Sequence, residues 1–231
     1  MTQWHPATLV ARSPSADGLT DLTLDLSETP LRGAHQRPGQ YVHLRLPGHP
    51  EEGLFALASP PGNSGRWDFL VKEGSPLTSA LIHLPMGASV EVSHPEGRGF
   101  PLEQARGKAL LLFATGSGIS PIRSVIESIR RERREYGRVT LYFGVRTPSA
   151  FAYARDFEAW EQSGIHVVRT VSQPGASGWQ GLTGYVQGHL AEEPLSADTM
   201  AFVCGQQEMV TGVVQALQAR GLPASSISQN F

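Results

Sequence analysis

Cysteine is nearly missing from this sequence: Cys204 is the only one in 231 residues. That excludes a disulfide framework, a Cys-ligated zinc site and a Cys-ligated iron–sulfur cluster within the chain. A strong charge excess is missing too. Nineteen Lys and Arg face 21 Asp and Glu, a net charge of −2, which argues against nucleic-acid binding by bulk electrostatics. Long apolar runs are absent. The longest, Ala109–Ala114, is far short of the roughly 20 residues that span a bilayer. Met1–Val10 contains His5 and Pro6 and no leader-like apolar stretch, so the expectation is a soluble, cytoplasmic protein. The eight histidines form no pair at metal-ligand spacing on a helix, so no metal site is expected. No Gly-x-Ser-x-Gly pentapeptide occurs, which disfavours a hydrolase built on a nucleophile elbow.

What is plentiful is punctuation. Twenty-five glycines and 17 prolines, without a period, separate many short elements. Up to about residue 104 the apolar pattern has period two: Leu22, Leu24 and Leu26; Val42, Leu44 and Leu46; Trp67, Phe69 and Val71; Val90 and Val92. Gly/Pro clusters at 13–18, 47–50 and 60–65 read as turns between short strands. Pro76–Leu84 is the one helix candidate in this half, with Leu77, Leu81 and Leu84 on one face.

After residue 104 the grammar changes. Ala109–Ala114 reads as a strand covered on both faces. A helix opened by Pro121 follows, with Ile122, Val125, Ile126 and Ile129 at helical spacing. Val139–Val145, Ile165–Val171 and Met200–Cys204 read as further strands, and Phe151–Gln162 and Glu208–Arg220 as helices. Alternating strands and helices predict a Rossmann-like, doubly wound parallel sheet. The expected architecture is a six-stranded antiparallel Greek-key barrel over 1–104, followed by an α/β domain over 105–231.

Three segments stand at strand C-terminal ends, where open α/β sheets place ligands. Thr115-Gly116-Ser117-Gly118-Ile119-Ser120-Pro121 joins a buried strand to a helix. It reads either as an anion site at the helix N-terminus or as a bare tight turn. Ser120 is the candidate helix cap. Cys204-Gly205 ends another strand, where the local reading of Cys204 is a small buried hydrophobe. Arg146, just past a third strand, is equally a phosphate-gripping guanidinium or a solvated loop residue.

Several motifs, in order, resemble the ferredoxin–NADP reductase superfamily over nearly the whole chain. Arg37-Pro38-Gly39-Gln40-Tyr41-Val42 resembles its P-G-Q-Y/F-V signature, and Ala58-Ser59-Pro60-Pro61 the end of its flavin motif. Lys72-Glu73-Gly74-Ser75-Pro76-Leu77-Thr78 is similar to its flavin-phosphate segment, and His94–Phe100 to the stretch before its domain junction. Thr115–Pro121 resembles its nicotinamide nucleotide loop. Trp179–Val186 resembles a recurrent W-x-G-x-x-G-x-V stretch. Cys204–Met209 resembles C-G-P-x-x-M, with Gln206 in place of Pro.

The flavin motif R-x-Y-S departs: its places hold Gly53, Leu54, Phe55 and Ala56. The missing Arg pairs with the flavin pyrophosphate in the family, a bond worth roughly 1.5–3 kcal/mol. The run Phe55–Pro61 resembles a branch of the superfamily, that of a kiwi fruit protein, in which this Arg is likewise absent.

The resemblance implies a flavoprotein reductase that takes hydride from NADPH or NADH onto FAD and passes electrons to an unidentified acceptor. It implies catalytic roles for Phe55, Ser59 and Cys204. Flavin contacts would come from Tyr41, Val42, Phe55, Ala56, Leu57, Ser59, Val71, Lys72, Gly74, Ser75 and Thr78, with Lys72 supplying the missing charge. Nucleotide contacts would come from Thr115, Gly116, Ser117, Gly118, Arg146, Cys204, Gly205 and Met209. A redox partner carrying iron–sulfur or haem is implied, for which the Arg130–Arg134 cluster is either a docking patch or a solvated helix end. Phe231 is either a cover for the flavin ring or a packed terminal side chain. The other reading is a non-catalytic reductase-like module that has lost tight flavin binding.

Overall fold

The structure is a computed structural model that describes residues 2–230. The first half builds one antiparallel sheet from β1 (His5–Ala16), β2 (Leu19–Asp25), β3 (Tyr41–Arg45), β4 (Glu52–Ala56), β5 (Arg66–Lys72) and β6 (Ser89–Val92). A short helix, α1 (Pro76–His83), precedes β6. The strand order is β4-β3-β6-β1-β2-β5. A bridge between Leu57 and Phe69 brings the two edges together, and the Ala58 amide donates to the Asp68 carbonyl at 2.8 Å. The sheet thus closes into the expected six-stranded Greek-key barrel. Its interior holds the alternating residues of the sequence pattern, among them Leu22, Leu24, Val42, Leu44, Trp67 and Phe69.

β1 runs through Ser13–Ala16, a stretch the sequence marks as a turn. Register shifts at Leu9/Ala11 and Pro14/Ala16 absorb the irregularity. β6 pairs with β1 over His5–Thr8 and the Leu9 main chain still bonds Gly87 and Ala88, so from Val10 onward β2 is the one strand paired with β1. A proline is tolerated there because the lost N–H faces an unpaired edge.

His35 lies inside this half, 2% exposed. Its Nε2 donates to the Arg37 carbonyl at 2.9 Å, and its Nδ1 has no partner. Burial holds its pKa down at about 4, against an ordinary 6.5. The folded state therefore keeps the ring neutral where the unfolded chain protonates it. The stability this supports is full above pH 6.5 and is lost as pH falls towards 4. Lowering the pH from 7 to 5 should cost about 2 kcal/mol through this group. Urea unfolding at the two pH values checks it, and a folded His35→Gln protein with an unchanged pH slope would refute it.

The second half is a parallel sheet of β7 (Ala109–Thr115), β8 (Val139–Val145), β9 (Ile165–Val171), β10 (Leu182–Thr183), β11 (Thr199–Cys204) and β12 (Ile227–Gln229). Helices α2 (Ile119–Arg131), α3 (Phe157–Gln162) and α4 (Gln207–Ala219) pack on it. β7 shows why its run is apolar throughout. Leu110, Leu112 and Ala114 share a cluster with α2 and α3, while Leu111 and Phe113 share one with α4. The order β10-β9-β8-β7-β11-β12 reverses at β7, so the switch point lies between β7 and β11.

Two expectations need correction here. Only Phe157–Gln162 of the expected Phe151–Gln162 helix is α-helical. Tyr153 holds a left-handed backbone (φ 57°), and its amide donates to Ser15 Oγ on β1 at 3.2 Å. Ser120 is not the helix cap. Gly118 holds that place, and the Ser120 hydroxyl donates instead to the Ala56 carbonyl at 3.1 Å.

The two halves meet in one apolar cluster. Leu19, Leu70, Phe100 and Leu102 belong to the same cluster as α2, α3 and one face of the second sheet. The rings of Phe100 and Phe202 stack at 4.8 Å between centroids, with 15° between planes.

Candidate active site

A cleft separates the barrel from the C-terminal ends of β7 and β11. It holds two cavities, of about 650 and 350 Å³. Both are lined by Lys72, Thr115, Gly116, Ser117 and Gln206, so the glycine-rich turn and one lysine stand where the two meet.

The floor is made of two loops in direct contact. The Gln206 amide donates to Thr115 Oγ1 at 3.0 Å, tying the segment after β11 to the end of β7. Glycine is required on both sides. A Cβ on Gly118 would stand 2.5 Å from the Cys204 carbonyl oxygen, and one on Gly205 would stand 2.6 Å from Met209 Cε. The spacing of these motifs was legible in the sequence; the reason for their glycines is this close approach.

The larger cavity brings together Tyr41, Phe55, Ala56, Lys72 and Thr78 of the barrel with Thr115–Gly118, Cys204 and Gly205 of the sheet. The smaller one takes Arg146 and Met209, with Asp17, Gln173 and Tyr185. Arg146 has a neutral partner: its Nε donates to Gln173 Oε1 at 2.7 Å. Cys204 is a free thiol, pushed up to about 12 by burial, so it stands as a neutral wall of the cavity.

Other expected residues lie elsewhere. Val42, Leu57 and Val71 are wholly buried in the barrel core and line neither cavity. Ser59 is turned away from both cavities. Its hydroxyl accepts the Asp68 amide at 3.0 Å, and its carbonyl accepts the Ser124 hydroxyl at 2.7 Å. Ser75 and Thr78 form a capping box on α1: Thr78 N donates to Ser75 Oγ (3.2 Å) and Ser75 N to Thr78 Oγ1 (2.9 Å). Gly74 precedes this cap and lines neither cavity.

Phe55 presents only a margin to the cleft. Strand alternation turns it inward, 9% exposed, while Leu54 on the open face is 63% exposed. Its ring lies over Gly53, where a Cβ would be 2.9 Å from Phe55 Cε2 and 3.2 Å from Leu77 Cδ2. The place of the missing arginine side chain is thus filled by packing.

The arginines at the end of α2 are largely used within the fold. Arg131 donates to the Pro61 carbonyl at 2.8 Å. Arg133 donates to the carbonyls of Ser163, Tyr136, Gly137 and Gly164. Arg130 pairs with Glu127.

Sequence reasoning missed Leu54, Gln206 as a hinge of the floor, and Asn230. Asn230 lines the larger cavity, and its Nδ2 donates to the Gly39 carbonyl at 2.7 Å, joining the end of the second sheet to the barrel. No periodicity marks a lone Asn beyond a three-residue strand. Phe231 lies outside the described residues.

Residues 112–215 match the family model "Oxidoreductase NAD-binding domain". Over 242 residues the chain is 31% identical to fruit protein pKIWI502 of Actinidia deliciosa, covering 97% of this chain and 76% of that one. The chain belongs to the ferredoxin–NADP reductase superfamily. Ferredoxin–NADP reductase B of Sorangium cellulosum is 29% identical over 243 residues, 98% of both chains. Against the gamma subunit of sulfhydrogenase 1 of Pyrococcus furiosus the identity is 29%, over 78% of this chain and 63% of that subunit. The ferredoxin reductase of carbazole 1,9a-dioxygenase shares the superfamily fold at a TM-score of 0.84 and 21% identity, over 99% of this chain and 69% of its own. Among the described residues no helix is long and apolar enough to cross a membrane.

Proposed function

We propose that this chain is an NAD(P)H-dependent flavoprotein reductase, with residues 1–104 as its FAD-binding unit and 105–231 as its nucleotide-binding unit. The observation that carries the reading is the pair of touching loops, Thr115–Gly118 and Cys204–Gln206, at the switch point of a parallel sheet and facing the barrel wall. Such an arrangement holds a dinucleotide. FAD, when bound, supplies hydride acceptance and onward electron transfer.

The residues present fit that chemistry. Tyr41, Ala56 and Thr78 offer the barrel side of the larger cavity, and Lys72 lines both cavities. The turn amides at the start of α2 and the Arg146 guanidinium offer charge to nucleotide phosphates. The neutral Cys204 thiol and the packed glycine floor hold the reacting faces without adding a base. Hydride transfer needs alignment and water exclusion more than proton transfer.

The relatives' names include reductase components of phenol and propane monooxygenases. With a single cysteine in these 231 residues, we take the acceptor to be an iron–sulfur or haem centre on another chain or region. A cytoplasmic setting suits a lone, free, half-buried thiol. The packing of Phe55 and Leu77 over Gly53 favours one second reading, a reductase-like module with weakened flavin binding.

One experiment separates them. Purified protein, supplied with FAD and titrated anaerobically with NADH and then NADPH, is expected to be yellow and to bleach. Colourless protein that takes up no FAD would sink the reductase reading.

A further inference from the structure

The side of α2 lies along the chain segment that follows β4, and it is held there almost entirely by main-chain carbonyls. Ser120 Oγ donates to the Ala56 carbonyl (3.1 Å), Arg123 Nη1 to that of Ala58 (3.2 Å), Ser124 Oγ to that of Ser59 (2.7 Å) and Arg131 Nη1 to that of Pro61 (2.8 Å). These four bonds advance together along both segments. Ala56 is a wall of the larger cavity, and α2 begins at the turn that forms its floor. The seam therefore fixes how far the barrel wall stands from the nucleotide turn.

One member of the seam differs from the rest. Arg123 also reaches Asp68 Oδ2 on β5 through Nη1 (3.2 Å), and Asp156 Oδ2 before α3 through Nε (3.3 Å). Its guanidinium lies 4.8 Å from the centroid of the Tyr153 ring. Asp68 is itself fixed, accepting the Thr23 hydroxyl at 2.8 Å. Arg123 is 18% exposed, so these bonds are largely shielded from water. A single planar fork thus joins α2, the barrel and the turn before α3.

We propose that Arg123 is a positioning residue: it sets the spacing across the cleft, and through that spacing the rate of hydride transfer, while touching neither cofactor. The second clause rests on the reductase reading above. Arg123 lines neither cleft cavity. Its effect must pass through Ala56–Ala58 on one side and the Gly118–Ser120 turn on the other. A misplacement of about 1 Å between reacting groups is enough to cost about 100-fold in rate.

The test compares Arg123→Met, Arg123→Lys and Asp68→Asn with wild type. Arg123→Met keeps the stem and removes the fork. At saturating NAD(P)H its limiting rate of flavin reduction is expected to fall roughly 10- to 100-fold, with FAD affinity unchanged. Arg123→Lys should recover part of the rate, because an ammonium pairs with Asp68 but cannot also bridge to Asp156 and Ala58. Asp68→Asn should slow reduction in the same direction. A residue that only stabilised the fold would lower the unfolding midpoint and leave the limiting rate of the folded protein alone. A folded Arg123→Met enzyme that reduces flavin at the wild-type rate overturns the proposal.

A wild-type protein that takes up no FAD overturns the reductase reading instead. In that event amide exchange of the flavin-free protein still decides the spacing claim. Faster exchange at residues 57–59 and 120–126 in Arg123→Met supports it, and unchanged exchange overturns it.

Discussion

A Gly118→Ala protein will keep its flavin and lose most of its reduction by NAD(P)H. The added methyl would stand 2.5 Å from the Cys204 oxygen, 2.7 Å from the Cys204 carbonyl carbon and 2.7 Å from Gly205 Cα. All three are main-chain atoms, so no side-chain rotation relieves the clash. Either the start of α2 or the end of β11 must move, by something on the order of 1 Å, and the nucleotide floor moves with it. A shift of that size warrants a loss of about 100-fold in the limiting reduction rate. The barrel contributes no atom to the clash, so FAD affinity should hold.

Gly116→Ala is the control. No atom lies within 4 Å of its Cβ, but its φ of 53° costs an alanine roughly 1–2 kcal/mol. It should be the milder change in rate. Rapid mixing under anaerobic conditions measures both, and a folded Gly118→Ala protein with the wild-type rate would refute the close-approach argument.

Phe100→Ala carries the largest expected loss of stability. Phe100 and Phe202 are both fully buried and stacked, one following the barrel and the other on β11. Removing a buried phenyl ring costs about 3–5 kcal/mol, from lost transfer energy and the cavity left behind. The melting midpoint of a chain of this size should drop on the order of 10 °C. The cavity would open beneath β11 two residues before Cys204, so nucleotide-dependent reduction should weaken as well. Phe100→Leu should lose about half as much, since Leu refills part of the volume. Calorimetry of the three proteins checks the order, and a loss below about 1 kcal/mol in Phe100→Ala would mean that the site collapses freely.

The parts of this fold that repeat were the legible ones. Ala109–Ala114 announced a doubly covered strand because each face has its own apolar layer, α2 and α3 on one side and α4 on the other. The loops at Thr115 and Cys204 stood out because strand, glycine and helix follow in order. β1 beyond Leu9 was illegible because its Ser-Pro-Ser run has turn composition, and only one-sided pairing admits it. The direction of Phe55 was hidden for a different reason. A motif aligns the residue, but strand parity and the empty Cβ place of Gly53 decide where its ring goes. Ser59 stood out through its motif, yet its place in the seam was hidden, as was that of Ser124, because the Asp68 amide and the Ser59 carbonyl are groups that every sequence possesses. Arg123 was hidden because its carboxylates, Asp68 and Asp156, lie far from it in the chain.

Main-chain bonding across the cleft bears on the exchange of parts. A seam that grips carbonyl oxygens at Ala56, Ala58, Ser59 and Pro61 takes no notice of the side chains there. Barrels with different residues along this segment are interchangeable in front of the same α2, provided the backbone follows the same path. Along this seam the condition on identity falls on position 68, where a carboxylate must meet Arg123. Away from the seam, a graft of a relative's barrel onto this nucleotide domain must also keep Ser15 for the Tyr153 amide and Asp21 for Arg155.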